Sequence, residues 1–187
     1  LFGEMADLIK QNCQCFENLD QAIEWIESQL IAEYGECQNN SEDFSPLADQ
    51  PLLKGLPNSD LETLQKNVTS TEYESGSKII QLNEKADGIY FLRSGKVSVM
   101  VGDGIYVSGL DAGTCFGELA LIAPDATRTA NIIADTKVFC SFLSIKSFNE
   151  ISIVNPSFNE LLLRNLGLIL FERLKQSNSK IIALSAM

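Results

Sequence analysis

The spacing of apolar residues along this chain switches period twice, dividing it into a helical stretch, a strand-rich stretch and a second helical stretch. From Asn18 to Tyr34, Leu19, Ile23, Ile26, Leu30 and Tyr34 recur at steps of four, three, four and four, lining one face of a helix that Asn18 can cap. Its other face carries Asp20, Glu24 and Glu27 rather than lysines, the pattern of a helix packed on a core, not of one lying on a membrane. Only some 17 residues precede it, so the surface it covers is expected in a preceding domain. Gly35 to Ser45 is polar and turn-rich and reads as a linker. Ser59-Asp60-Leu61-Glu62 has the form of a capping box, predicting a short helix with Leu61, Leu64 and Val68 inward.

From Thr71 to Leu143 the period is two, with β-rich runs at 78–82, 89–92, 96–101, 105–107 and 138–143. Turn signals separate them at Ser75-Gly76, Asp87-Gly88, Ser94-Gly95, Gly102 to Gly104 and Asp111 to Gly113. Many short strands at this spacing specify a β-barrel, jelly roll or sandwich, and the pattern alone does not choose among them. After Ser147 the helical period returns with Phe148, Ile151 and Val154. Pro156 breaks it, and a long apolar helix follows from Phe158 to Lys175, whose charge suits the C-terminal end of a helix dipole. The fold class is therefore α+β, a compact antiparallel β unit flanked by N-terminal and C-terminal helices.

Composition narrows the function classes. A chain of 187 residues with 45% apolar residues can build one domain with an appendage, or two small domains. A net charge of -11 repels nucleic acid and anionic lipid, so an anionic ligand must be held by local groups. The richest apolar stretch, Leu161 to Phe171, is interrupted by Arg164 and Asn165 and falls short of the roughly 18 to 20 residues of a membrane span. The chain begins at Leu1 with neither an initiator Met nor a secretory pattern, which reads as a piece of a longer protein. Cys13, Cys15, Cys37, Cys115 and Cys140 form no CxxC pair, and their odd number suits a reducing cytosol, hence a cytoplasmic location. With no histidine, Ser-His-Asp and Cys-His nucleophiles, HExxH sites and histidine metal sites are excluded, and neither a catalytic nor a metal site is expected.

One segment departs from what packing alone demands. Between two strands, Gly113 to Ala130 contains a short helix-forming piece, Glu118 to Ile122, preceded by Gly117. Gly117 lets another group approach the backbone closely, and amides at the start of that piece attract an anion. Arg128 presents a planar fork of donors suited to two phosphate oxygens, each charge-assisted bond contributing roughly 1.5 to 3 kcal/mol. Glu118 would repel an anion unless it accepts a hydrogen bond from a neutral group, for which a ribose hydroxyl is the natural donor. Glu, Arg and bare amides together describe a sugar phosphate. The same residues also allow a plainer reading, in which Glu118 and Arg128 pair with each other across a turn that Gly117 merely permits.

The order of Ile89-Tyr-Phe-Leu-Arg-Ser-Gly95, Gly113-Thr-Cys-Phe-Gly-Glu-Leu-Ala-Leu121 and Arg128-Thr-Ala130, followed by closing helices, strongly resembles the cyclic-nucleotide-binding domain family over about residues 50 to 175. The resemblance implies an eight-stranded antiparallel β-roll, jelly-roll-like, whose internal helix cradles a cyclic phosphate. It puts Glu118 on the ribose 2'-hydroxyl and Arg128 on the exocyclic phosphate oxygens. It also gives Gly117, Leu119 and Ala120 backbone contacts, places Thr129 and Ala130 along the phosphate or base, and includes Phe116 in the binding segment. Glu118 and Arg128 are ten apart, one more than in many members, and Asn83 stands where a turn glycine is frequent. Asn tolerates left-handed backbone, so that departure is mild.

The helix beginning Asn18-Leu-Asp-Gln-Ala-Ile-Glu-Trp resembles the C-terminal end of a STAS domain, as found before a cyclic-nucleotide-binding domain in some bacterial glutaminases and sulfate-transporter-type proteins. The expected organisation is a STAS-like remnant over 1–34, a linker over 35–48, the binding domain over 49–175 and a tail over 176–187. The expected function is regulatory. A cyclic mononucleotide, cAMP in preference to cGMP, binds with no further cofactor and controls the preceding domain, which the resemblance makes a glutaminase or a sulfate-transporter-type protein. The alternative is a nucleotide-free interaction module that keeps the fold. Partners are then the nucleotide, the preceding domain and a second copy through the helices, without nucleic acid or membrane contact. The chain itself is not expected to be catalytic, and too little follows its last helix for the two further helices of a helix-turn-helix.

Overall fold

A computed structural model of the chain describes residues 44–102, 104–123 and 125–185. The helix expected over Asn18–Tyr34, the STAS-like resemblance and Cys13, Cys15 and Cys37 lie outside the described residues.

Two 3-10 turns, Leu47–Asp49 and Pro51–Leu53, lead into helix α1 (Asn58–Asn67). Eight strands follow: β1 (Thr69–Tyr73), β2 (Lys78–Ile80), β3 (Gly88–Ser94), β4 (Lys96–Val101), β5 (Ile105–Asp111), β6 (Cys115–Phe116), β7 (Asn131–Ala134) and β8 (Val138–Ser144). The four-residue helix α2 (Leu119–Ile122) interrupts them after β6, and α3 (Ile145–Val154) and α4 (Pro156–Ser185) close the chain. The strands form two four-stranded antiparallel sheets, one ordered β1-β8-β3-β6 and the other β2-β7-β4-β5. Of the three β architectures the periodicity left open, the chain adopts the roll, flanked by helices as expected.

The first sheet is covered on both faces. Leu92, Val97, Phe116, Ile132, Ala134, Val138 and Cys140 fill the space between the sheets. On the opposite face Ile89, Phe91 and Leu143 meet Leu52, Leu53 and Leu64 together with Phe148, Phe158, Leu162 and Leu166 from the closing helices. Ile89, Phe91 and Leu92 in β3 are consequently fully buried, and β3 reads as an apolar run instead of an alternation. A register shift against β8 between Leu92 and Ser94 bulges the strand at Arg93. There Arg93 donates its Nε to the Ser45 carbonyl and Nη1 to Ser141 Oγ at 3.3 Å.

Several local expectations change. No side chain caps α1: Pro57 stands at its N-cap and the Ser59 hydroxyl donates to neighbouring Asp60 at 3.3 Å, so the Ser59 to Glu62 box does not form. Leu64 is buried, and Leu61 and Val68 pack against the core as expected. Residues 44–48, assigned to the linker, fold onto the roll, with Leu47 in the core and the Phe44 ring 4.5 Å from that of Phe139. Helix α4 does not stop at Lys175 but runs to Ser185. Asn165, read as an interruption of the apolar run, anchors that helix by donating Nδ2 to the carbonyls of Leu52 at 2.9 Å and Lys54 at 2.8 Å. Among the described residues no helix is long and apolar enough to cross a membrane.

Phe158 is fully buried where α4 begins, 6.2 Å between ring centroids from Phe148 of α3. Phe158→Ala should lower unfolding free energy by about 3 to 5 kcal/mol in urea titrations, because the cavity sits between helices that cannot collapse independently. Burial also pushes the Cys115 and Cys140 thiols up to about 12 from an ordinary 9.0, with the Glu118 carboxylate adding to the rise at Cys115. The folded state therefore keeps protons that the unfolded state loses above pH 9.0, and their contribution to stability falls as pH rises from there toward about 12. At pH 8, iodoacetamide should leave the peptides bearing Cys115 and Cys140 unmodified until denaturant is added, as read by mass spectrometry.

Candidate functional site

β6 is two residues long and ends in Phe116, after which Gly117 turns the chain with φ +76°. A Cβ on Gly117 would lie 2.5 Å from Arg128 Nη1, so the position requires glycine for its left-handed backbone and for the close approach of that guanidinium. Glu118 follows at the N-cap of α2.

Arg128 arrives from the other side. Its backbone pairs with the turn after β2, donating N–H to the Glu84 carbonyl at 2.7 Å and accepting from Asn83 N–H at 2.9 Å. Asn83 holds that turn with φ +69°, the left-handed geometry that made its departure from glycine mild. The Arg128 side chain, 6% exposed, donates Nη1 to the Gly117 carbonyl at 3.2 Å and Nη2 to the Gly88 carbonyl at 3.0 Å and to Asp87 Oδ1 at 2.6 Å. A guanidinium carries five N–H donors, so these bonds leave part of the fork for a ligand.

Glu118 does not pair with Arg128. Its carboxylate, 9% exposed, is bonded by Arg173 Nη1 of α4, while Arg173 Nη2 donates to the Cys115 carbonyl at 2.9 Å. The plainer reading of a Glu118 to Arg128 turn pair is therefore not what the fold builds: each group has its own opposite charge. Both nonetheless face one cavity of about 460 Å³, within the roughly 300 to 1,000 Å³ typical of small-molecule clefts. All eight residues singled out in the sequence line it: Phe116, Gly117, Glu118, Leu119, Ala120, Arg128, Thr129 and Ala130. The longer loop between Glu118 and Arg128 thus delivers both to the same space.

Sequence reasoning missed the remaining wall. Ile80, Val99, Leu110 and Ile132 supply apolar surface from the four strands of the β2-β7-β4-β5 sheet, and Arg173 and Ser177 come from α4. Arg173 had a legible signal. Phe158, Leu162, Leu166 and Ile169 mark the inward stripe of α4 at steps of four, four and three, and Arg173 stands one turn further along it. A charge continuing a buried stripe needs a buried partner. Asp87 had none, since its role depends on the fold bringing Arg128 to the start of β3. Among the described residues no group of three His, Cys, Asp or Glu side chains could hold a metal ion.

Comparison with known proteins places this geometry. Residues 70–153 match the family model described as cyclic nucleotide-binding domain. Glutaminase 1 of Bradyrhizobium diazoefficiens is 38% identical over 179 residues, covering 94% of this chain. The chain spans 28% of that protein's length. The catabolite activator protein of Thermus thermophilus has a similar fold, with a TM-score of 0.61 at 23% identity over 73% of this chain and 63% of that one. The regulatory domain of Toxoplasma gondii PKA, crystallised with cAMP, superposes with a TM-score of 0.56 at 26% identity, covering 65% of this chain and 47% of that one.

Arg173→Met should destabilise the fold by about 1 to 3 kcal/mol, because it strands the largely buried Glu118 carboxylate. Adding Glu118→Gln should recover most of that loss, since a neutral amide costs less to leave unpaired. Urea unfolding of the two single variants and the double variant measures both effects.

Proposed function

From the match of residues 70–153 to the cyclic nucleotide-binding domain model, we propose that the cavity between α2, β7 and α4 binds a cyclic mononucleotide, cAMP in preference to cGMP. The observation carrying this reading is that a guanidinium and a carboxylate face one cavity, paired separately and not with each other. Arg128 takes the exocyclic phosphate oxygens and Glu118 accepts from the ribose 2'-hydroxyl. Gly117, Leu119 and Ala120 offer backbone to the phosphate and sugar, Phe116 forms the floor, and Thr129 and Ala130 line the phosphate or base. The cAMP bound to the Toxoplasma regulatory domain supports the choice of ligand.

Control of an attached domain is supported by the wall that α4 supplies. A ligand on Glu118 competes with or rearranges the Arg173 contact, so α4 is a natural reporter of occupancy, acting by population shift. The likeness to Glutaminase 1 supports a glutaminase as the controlled partner domain in a larger cytoplasmic protein, with this chain as its non-catalytic part. A STAS-like segment over residues 1–34 would join the two. Leu163, Leu168, Phe171 and Leu174 are exposed along one side of α4, a surface suited to a second copy of the chain.

A nucleotide-free interaction module is the competing reading, favoured by one observation: both charged groups already have protein partners. Isothermal calorimetry with cAMP and cGMP separates the two. Saturable heat that is stronger for cAMP is expected, and Glu118→Gln and Arg128→Lys should each weaken it at least tenfold, about 1.4 kcal/mol. Neither heat nor thermal shift at millimolar nucleotide would leave the interaction module standing.

A further inference from the structure

The hydrogen bonds to Arg128 fix the ends of its guanidinium but leave its face to be explained. That face meets a ring: Arg128 Cζ lies 5.9 Å from the centroid of Tyr90, a residue that sequence reasoning placed in a strand and gave no role. Tyr90 is itself held on several sides. Its ring stacks on Phe116 at 5.2 Å with an 8° interplanar angle and packs against Phe142 at 4.7 Å, while its hydroxyl interacts with that of Tyr73 of β1. Burial first, and then Tyr73, pushes the Tyr90 phenol above its ordinary range, so it remains a neutral donor.

On these grounds we infer that Tyr90 is the positioning residue for the Arg128 guanidinium, its ring seating the cation while its stack on Phe116 fixes the strand that leads to Gly117. Two independent contacts converge on that role. The negative face of the ring attracts a cation that is almost fully desolvated, where such contacts are strongest. The stack on Phe116 sets the residue immediately before Gly117, whose carbonyl accepts from Arg128. Moving the ring therefore displaces the guanidinium and one of its acceptors together. The hydroxyl only stiffens the arrangement through Tyr73, so the ring carries the effect.

The consequence for ligand affinity rests on the cyclic-nucleotide reading above; the seat itself does not. A double-mutant cycle of Tyr90→Leu with Arg128→Met, read by urea unfolding without nucleotide, should show coupling of about fivefold or more in the unfolding constant. Arg128→Gln replaces Arg128→Met should the latter not fold. In cAMP titrations of the full chain, Tyr90→Leu should weaken binding at least tenfold, while Tyr90→Phe, which keeps the ring, should stay within about threefold of the parent. Additivity within about twofold in the cycle, or equal losses for Tyr90→Phe and Tyr90→Leu, would overturn the inference. Failure of the parent chain to bind cAMP would remove the nucleotide reading, with the cycle still deciding whether Tyr90 seats Arg128.

Discussion

The site depends on burying one guanidinium at a point where four chain segments meet. Arg128 is brought by its own loop and bonded to the carbonyls of Gly117 and Gly88 and to Asp87, and it lies over Tyr90. A cation this deeply buried is tolerable only if nearly all of its desolvation is offset by fixed dipoles and charges. That requirement explains the local sequence. Gly117 must lack a Cβ, the turn at Asn83 must adopt left-handed geometry to pair with Arg128, and β3 must begin where its first carbonyl points at the guanidinium. A change in any of these segments alters the cavity, although most of their residues never touch it.

The same constraint reconciles an acidic chain with the proposed anion site. A net charge of -11 opposes an anionic ligand at long range, but the cavity wall holds two arginines, each matched to a single carboxylate. Screening in physiological salt confines the global repulsion to about 8 Å, whereas the pairs inside the wall act at contact distance. The two pairs also differ. Asp87 is 66% exposed and keeps water on its free oxygen while it holds Arg128, whereas Glu118 is 9% exposed and must keep some donor at all times. The sugar hydroxyl of the proposed ligand is such a donor.

How much of this could be read from the sequence follows from the range of each interaction. The change of period marked the β unit and the closing helices, because alternation and helical stripes are local properties. β1 was missed because its TSTEY residues are almost all exposed and show no apolar alternation, and the two-residue β6 and four-residue β7 because so few residues carry no periodic signal and exist only through pairing with β3 and with β2 and β4. The Ser59 to Glu62 box failed for a local reason, since Pro57 starts α1 before Ser59 can cap it. Within the site, the eight residues singled out from the sequence lie in two short segments, 116–120 and 128–130, while the rest of the cavity wall was not read from it. Asp87, Tyr90 and Arg173, which hold the two charged groups, come from elsewhere in the chain and only the fold assembles them.

That division of labour bears on how occupancy could be transmitted. Regulation requires the ligand to interact differently with two arrangements of the protein, by about 1 to 3 kcal/mol for typical coupling. A contact that a ligand leaves untouched transmits nothing. The Arg128 seat is buried and bound to rigid strands, so it can fix a phosphate without moving. Arg173 is 38% exposed on a long helix and holds the carboxylate that a ribose would claim, so on the proposed reading it is the contact a ligand can exchange. On the proposed reading the cavity separates its tasks, with a fixed cation on one side for affinity and an exchangeable ion pair on the other for communication. The second pair reaches α4 directly, whose opposite side presents Leu168, Phe171 and Leu174 to whatever the helix meets next.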